Sequence, residues 1–151
     1  MQHRIKLTGG KVGRILERLE HRCVEIVAQI GDTLGAVILQ TGSITGSTGV
    51  LTPTSLGVQS GTISAIIGGT GVLTKSTTGT VTLTGANTYT GTTTIQTGTL
   101  ALGNGGTTGS IAAGSAIVNN GTLSFNRSDA LTVTNTLSGN GDLIQAGTGQ
   151  T

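Results

Sequence analysis

Charge is scarce in this sequence, and aromatic residues are almost absent. Charged residues make up 9% of its 151 residues and aromatic residues 1%, whereas a typical soluble domain has roughly 25% charged residues. Past residue 32 the only charged residues are Lys75, Arg127, Asp129 and Asp142. A phosphate-binding surface needs several clustered Lys or Arg side chains, so the composition argues against nucleic acid as a partner.

Cysteine and long apolar runs are also lacking. The single cysteine, Cys23, cannot form a disulfide within the chain. No segment reaches the ~18 consecutive apolar residues of a membrane-spanning helix, and the N-terminus shows no three-part secretory signal. The sequence as it stands therefore predicts neither a membrane anchor nor a recognisable export signal.

Groups suited to catalysis or metal binding are few. Both histidines, His3 and His21, lie in the charged N-terminal part, so the long remainder has no histidine base. An enzyme would need Arg127, Asp129 and Asp142 to converge in the fold. The two histidines and the cysteine are too few for a closed zinc site. We therefore expect no catalytic residue, no cofactor and no metal site.

The chain divides into a charged head, residues 1–32, and a nearly neutral remainder, residues 33–151. The stretch KVGRILERLEHRCVEIVAQI, residues 11–30, places apolar residues three and four positions apart, which predicts an amphipathic helix of about five turns. Gly31 and Asp32 are suited to end this helix. The head would be either a cap over the fold that follows or a wrongly assigned start.

Short β-forming runs with recurring motifs fill the remainder. One six-residue pattern occurs as VQSGTI (58–63), IQTGTL (95–100) and VNNGTL (118–123). A longer similarity relates GTGVLTKSTTG (69–79) to GNGDLIQAGTG (139–149). Intervals near twenty residues, or near twice twenty, favour the coils of a parallel β-helix, which stack about 4.8 Å apart.

An antiparallel β-sandwich is the alternative all-β architecture. Three Asn-Gly pairs, at residues 104–105, 120–121 and 140–141, are suited to hairpin turns. Hairpins do not explain why Gly-Thr recurs at matched positions, whereas a solenoid explains both features. In the solenoid Tyr89, the only tyrosine, would lie in an exposed turn. Its side chain would cover the coil there by packing or by hydrogen bonding.

Residues 69–103, GTGVLTKSTTGTVTLTGANTYTGTTTIQTGTLALG, resemble the autotransporter-associated β-strand repeat, also called the passenger-associated transport repeat. The similarity of the flanking segments extends the resemblance to residues 43–151. The positions that match the repeat motif, and would be its structural residues, are Gly69, Gly71, Leu73, Lys75, Gly79, Leu83, Gly85, Asn87, Tyr89, Gly91, Ile95, Gly98 and Leu100.

The resemblance implies a right-handed β-helix from the passenger of a bacterial type V secretion system. Such a segment would be structural and non-catalytic, and its repeats would support secretion and folding at the cell surface. The alternative is an adhesin or self-association module that binds a host surface or a second copy. The implied partner is an outer-membrane β-barrel translocator, and we expect the segment to be secreted or surface-exposed as part of a longer protein.

Overall fold

The protein folds as a parallel β-solenoid. The computed structural model describes residues 3–6, 24–27, 33–46 and 49–151. Across these ranges it has fifteen strands. They are β1 (His3–Lys6), β2 (Val24–Val27), β3 (Thr33–Leu39), β4 (Ser43–Ile44), β5 (Val50–Val58), β6 (Gly61–Ile63), β7 (Ile66–Ile67), β8 (Val72–Lys75), β9 (Thr80–Leu83), β10 (Thr93–Ile95), β11 (Thr99–Leu102), β12 (Ile117–Asn119), β13 (Thr122–Phe125), β14 (Leu137–Ser138) and β15 (Asp142–Gln145).

The strands form two sheets in which neighbours come from successive coils. The eight-stranded sheet has the order β1-β2-β4-β6-β9-β11-β13-β15, and the seven-stranded sheet has the order β14-β12-β10-β8-β5-β3, with β7 also paired to β5. Every strand pairing in the described part of the chain is parallel. This confirms the predicted solenoid and rejects the antiparallel sandwich.

The coil length stays close to twenty residues but is not constant. Leu73 pairs with Thr93, Thr93 with Ile117 and Ile117 with Leu137, so three successive coils contain 20, 24 and 20 residues. The sequence intervals had predicted a period of this size. A parallel pair is formed by residues one full coil apart, so the period of the sequence becomes the period of the stack.

The core is a set of aliphatic ladders between the two sheets. Side chains alternate between the two faces of each strand, so every second residue points inward. One ladder of the eight-stranded sheet contains Ile44, Ile63, Leu83, Leu102 and Phe125, all of them buried. Each such side chain contributes about 2 kcal/mol to folding when it is removed from water.

The predicted helix at residues 11–30 is wrong where the structure can be compared with it. Val24–Val27 form β2, which pairs with both β1 and β4, and the rest of the predicted helix lies outside the described residues. VEIV contains three β-branched residues in four, and parallel neighbours on both sides outweigh a local helical pattern. The described residues contain no helix long and apolar enough to cross a membrane.

The three six-residue motifs stack on each other only in part. Thr99 pairs with Thr122 and Leu100 with Leu123, which aligns the second halves of IQTGTL and VNNGTL, but Ile95 pairs with Asn119 rather than Val118. VQSGTI aligns with IQTGTL only at its start, because Val58 and Ile95 both pair with Lys75, whereas Ile63 pairs with Leu83 and Leu83 with Leu102. Ile63 therefore lies in line with Leu102, two residues beyond the position that the motif similarity assigns to it.

Candidate functional site

The apolar residues of the transport-repeat motif lie in the core. Leu73, Leu83, Ile95 and Leu100 are all buried, and they stand on β8, β9, β10 and β11 respectively. Leu73 belongs to the ladder of the seven-stranded sheet, and Leu83 to that of the eight-stranded sheet. Their placement follows from the alternation of apolar and small polar residues in each strand.

The motif glycines lie in bends or coil between the strands, where successive coils approach closely. Gly98 has a φ of 73°, and a Cβ added there would lie 2.1 Å from the carbonyl oxygen of Thr77. A Cβ on Gly71 would lie 2.0 Å from the carbonyl oxygen of Pro53. Backbone cannot yield to such a contact, so these positions require glycine. The other motif glycines in such segments are Gly69, Gly79, Gly85 and Gly91.

Asn87 is a buried side chain that connects three coils. Its Oδ1 accepts a hydrogen bond from the backbone N–H of Ile67 in the preceding coil, at 2.9 Å. Its Nδ2 donates to the carbonyl oxygen of Ser110 in the following coil at 2.8 Å and to that of Gly85 in its own coil at 3.2 Å. The amide is therefore satisfied only when both neighbouring coils are in place.

Tyr89 is buried rather than exposed, so the prediction of an exposed turn is wrong. Its side chain is 0% exposed, and its hydroxyl lies 2.6 Å from Oγ1 of Thr93. Burial raises the pKa of Tyr89 to about 12, and the hydrogen bond to Thr93 only partly offsets this rise. A buried hydroxyl is tolerated here because Thr93, also buried, supplies a partner.

Lys75 places an amine inside an apolar ladder. Val58 pairs with Lys75 and Lys75 with Ile95, and all three side chains are 0% exposed. Lys75 Nζ donates to the carbonyl oxygen of Thr77 in its own coil and, at 3.3 Å, to that of Thr97 in the next. Desolvation by burial lowers the pKa of Lys75. Backbone carbonyls thus replace the water that the amine loses.

The similarity between residues 69–79 and 139–149 does not reflect stacking, but it does reflect a shared contact. β8 lies in the seven-stranded sheet, whereas β15 lies in the eight-stranded sheet. At the equivalent position to Lys75, Gln145 Nε2 donates to the carbonyl oxygen of Gly147 at 3.2 Å. Lys75 and Gln145 each donate to the residue two positions ahead, so both hold the turn that follows their strand.

Further buried polar residues were missed by the sequence analysis. Thr93 is the partner of Tyr89, and its inward position could have been read from its spacing of two from Ile95. Asn119, which stacks on Ile95, donates from Nδ2 to the carbonyl oxygen of Asp142 at 2.9 Å. No local pattern distinguishes Asn119 from exposed asparagines, because its acceptor belongs to another coil.

Two of the three charged residues weighed as catalytic groups bind each other. Arg127 Nη2 and Nε bind the two carboxylate oxygens of Asp129 at 2.8 Å and 2.9 Å, and Arg127 Nη1 donates to the carbonyl oxygen of Gly109 at 3.0 Å. The hydrogen bond from Arg127 lowers the pKa of Asp129. Asp142 stands on β15, outside this pair. The ion pair lies within one coil, and the hydrogen bond of Arg127 to Gly109 joins that coil to the preceding one.

Comparison with known proteins finds similarity to a repeat family and to an autotransporter adhesin. Residues 73–102 match the family model described as the passenger-associated transport repeat. The chain is 51% identical over 75 residues to the protein named Adhesin BmaC autotransporter of Brucella suis biovar 1 (strain 1330). That match covers 48% of this chain and 2% of the relative, so the chain spans a small part of the relative's length. No solved structure matches the chain.

Residues 73–102 thus match a passenger-associated transport repeat within a parallel β-solenoid, as the resemblance of residues 69–103 had predicted. The repeat runs from β8 to the end of β11, so it contains two successive strands of each sheet. It therefore includes one complete coil-on-coil contact.

Proposed function

We propose that this chain is a non-catalytic structural segment of a bacterial autotransporter passenger, and that its repeats support secretion and folding at the cell surface. The observation that carries the proposal is that the transport repeat, residues 73–102, occupies one coil-on-coil contact within a continuous solenoid. The proposal is further supported by the word autotransporter in the name of the matched relative and by the mutual pairing of Arg127 and Asp129.

The physical basis is that each coil templates its neighbour. The backbone N–H of Gln96 donates to the carbonyl oxygen of Lys75 at 2.8 Å, and that of Gly103 donates to Leu83 at 2.9 Å. A coil that has folded therefore presents rows of unpaired donors and acceptors to the next coil. Stacking also buries the aliphatic ladder, so each added coil lowers the free energy. Folding outside the cell would thereby bias the chain against backward movement.

This function implies a partner and a location. The partner is an outer-membrane β-barrel translocator, carried by the full-length protein or by a separate chain. The location is the bacterial surface or the medium, in line with the autotransporter named in the comparison. A neutral, threonine-rich solenoid presents no cluster of basic residues past residue 32, so nucleic acid is not a proposed partner.

Leu83→Asp tests the coupling of folding to secretion. Residues 1–151 would be placed between a signal peptide and an outer-membrane β-barrel, and surface exposure would be measured by protease digestion of intact cells. We expect Leu83→Asp to reduce surface exposure several-fold, because it puts a charge into the aliphatic ladder. Thr82→Asp, on the same strand but on the other face, is the matched control and should be exported like the parent chain. Equal export of both variants would contradict the proposal.

The second candidate function is an adhesive or self-associating module. The observation that favours it is that the relative is named an adhesin. Deletion of residues 43–151 from the exported protein separates the two functions. Loss of cell aggregation with export intact would favour adhesion, whereas loss of export would favour the secretion role.

A further inference from the structure

The aliphatic ladders do not by themselves fix how one coil is aligned on the next. The similarity of VQSGTI and IQTGTL holds at Val58 and Ile95, which are in line through Lys75, but Ile63 is in line with Leu102 rather than with Leu100. A shift of two residues keeps every apolar side chain on the inner face, because the period of a strand is two. The apolar pattern is thus compatible with more than one register.

The turns between the two sheets can also absorb such a shift. Four stacked turns connect the paired positions Val58, Lys75, Ile95 and Asn119 to the paired positions Ile63, Leu83, Leu102 and Phe125. Each turn, together with the first residues of the strand that follows it, spans residues 59–62, 76–82, 96–101 or 120–124, which are four, seven, six and five residues. Since neighbouring turns differ in length, turn length does not select one register either.

The buried polar side chains of the repeat do have partners in only one register. Lys75 reaches the carbonyl oxygen of Thr97 in the following coil, from the strand that precedes the longest of these turns. Asn87 contacts Ile67 in the preceding coil and Ser110 in the following one. Two residues along a strand is about 6.6 Å, so a shifted coil would carry these acceptors out of reach.

We propose that Lys75 and Asn87 are positioning residues that select the stacking register of the transport repeat. A shifted coil would leave a buried amine and a buried amide without partners, whereas the aliphatic ladders would pack almost as well as before. The two polar residues therefore contribute specificity rather than stability. This inference rests on the proposed function for its biological meaning, because a template for further coils is useful only if its register is unique.

Disulfide cross-linking of the full chain reads the register directly. All variants carry Cys23→Ser, so that only introduced cysteines react. Thr82→Cys with Ala101→Cys reports the native register, because Thr82 pairs with Ala101 across β9 and β11. Thr82→Cys with Thr99→Cys reports a shift of two residues, and in the native register its Cα atoms are roughly 8 Å apart, too far for a disulfide.

Each reporter pair is combined with Lys75→Met and Asn87→Leu, which remove both polar groups. We expect the shifted cross-link to rise about tenfold over the parent while the sheet signal in circular dichroism is kept. Lys75→Gln is the conservative variant, because Gln145 makes the equivalent contact to Gly147. With Asn87 unchanged, Lys75→Gln should give the parental pattern, and Lys75→Met should give more of the shifted cross-link.

A double variant that keeps its sheet signal and forms only the native cross-link, at the parental yield, would overturn the inference. If the double variant loses its sheet signal, the single variants decide. A shifted cross-link in Lys75→Met but not in Lys75→Gln supports the inference, and its absence from both overturns it. Register is measured in purified protein and secretion on cells, so failure of this inference and failure of the proposed function are distinguishable.

Discussion

Tyr89 carries a hydroxyl into the interior of the solenoid and keeps it there with a single partner, Thr93. Burial stabilises the neutral phenol, so the pKa of Tyr89 rises to about 12 from its usual value near 10. The unfolded chain loses this proton near pH 10, whereas the folded chain keeps it to about pH 12. The folded state binds more protons in that window, so its stability falls as the pH rises through it.

Titration of the only tyrosine measures this burial directly. We expect the near-ultraviolet absorbance of tyrosinate to appear near pH 12 in the folded protein and near pH 10 in denaturant. The parent chain should lose about 2 kcal/mol of unfolding free energy between pH 10 and pH 12, and Tyr89→Phe should not show this loss. A folded-state midpoint near pH 10 would mean that Tyr89 is in contact with water.

Lys75 affects stability in the opposite direction as the pH rises. Its pKa is lowered in the folded state, so below its usual value of 10.5 the unfolded chain binds more protons than the folded one. Stability therefore increases as the pH is raised from the folded pKa of Lys75 towards 10.5. Lys75→Met should remove this increase, and at neutral pH it should leave the unfolding free energy unchanged or higher by about 1–2 kcal/mol.

Denaturant unfolding of the parent and of Lys75→Met, at neutral pH and at a pH just below 10, tests this expectation. A loss of several kcal/mol at neutral pH in Lys75→Met would show that the hydrogen bonds to Thr77 and Thr97 contribute more than the burial of the amine costs. Such a result would make Lys75 a stabilising residue, contrary to the specificity role inferred above.

At the scale of the strand, β9 shows how alternating apolar and polar residues produce one buried face and one outer face. Val81 and Leu83 are buried in the ladders, whereas Thr82 points away from the core. Each strand is short, so it depends on the strands above and below it for most of its backbone hydrogen bonds. A defect in one strand should therefore weaken the neighbouring coils as well.

Leu83→Asp tests this dependence in the purified chain. We expect a loss of about 3–5 kcal/mol, because the change removes a buried aliphatic side chain and introduces a carboxylate at a dry position. Hydrogen exchange should show lost protection in β6 and β11, the partners of β9, as well as in β9 itself. Thr82→Asp is the control and should change the unfolding free energy by less than about 1 kcal/mol. Protection lost in β9 alone would argue against coupled coils.

The sequence was sufficient to predict parallel coils from residue 33 onward, but not the bounds of each strand. Period-two alternation and intervals near twenty residues predicted the coils, and the stacking of Thr99 and Leu100 on Thr122 and Leu123 followed from the motif. The position of Ile63 could not be predicted, because four residues separate Val58 from Ile63 whereas six separate Ile95 from Leu102. The pattern in VEIV fits a helix and a strand equally over four residues, and pairing with other strands decided between them.

The polar part of the candidate site was only half predictable. Lys75, Asn87 and Tyr89 were identified through the repeat motif, but the burial of Lys75 and Asn87 was not predicted, and Tyr89 was expected in an exposed turn. Lys75 and Asn87 have partners in another coil, Thr97 and Ser110, whereas the partner of Tyr89 is Thr93, four residues away in the sequence. Local sequence carries no information on a carbonyl supplied by another coil, which is why burial of polar residues in a solenoid is hard to foresee.

At the scale of the whole molecule, the solenoid is a stack of units that differ little in shape but differ in their polar interior. Its stability should be approximately a sum over coils and over the contacts between neighbouring coils. One coil can then be removed without changing the sheet to which any later strand belongs, provided that the deletion begins and ends at paired positions. Deleting a coil of the transport repeat and, separately, a coil outside it therefore shows whether secretion depends on the repeat itself or only on a solenoid.

The most direct test compares two deletions of one coil in the surface-exposure experiment. Deletion of residues 73–92 removes twenty residues between the paired positions Leu73 and Thr93, and deletion of residues 117–136 removes twenty between Ile117 and Leu137. We predict that the first deletion reduces surface exposure several-fold more than the second, because it removes Lys75, Asn87 and Tyr89. Equal surface exposure of the two deletion variants would contradict a specific role of the repeat in secretion.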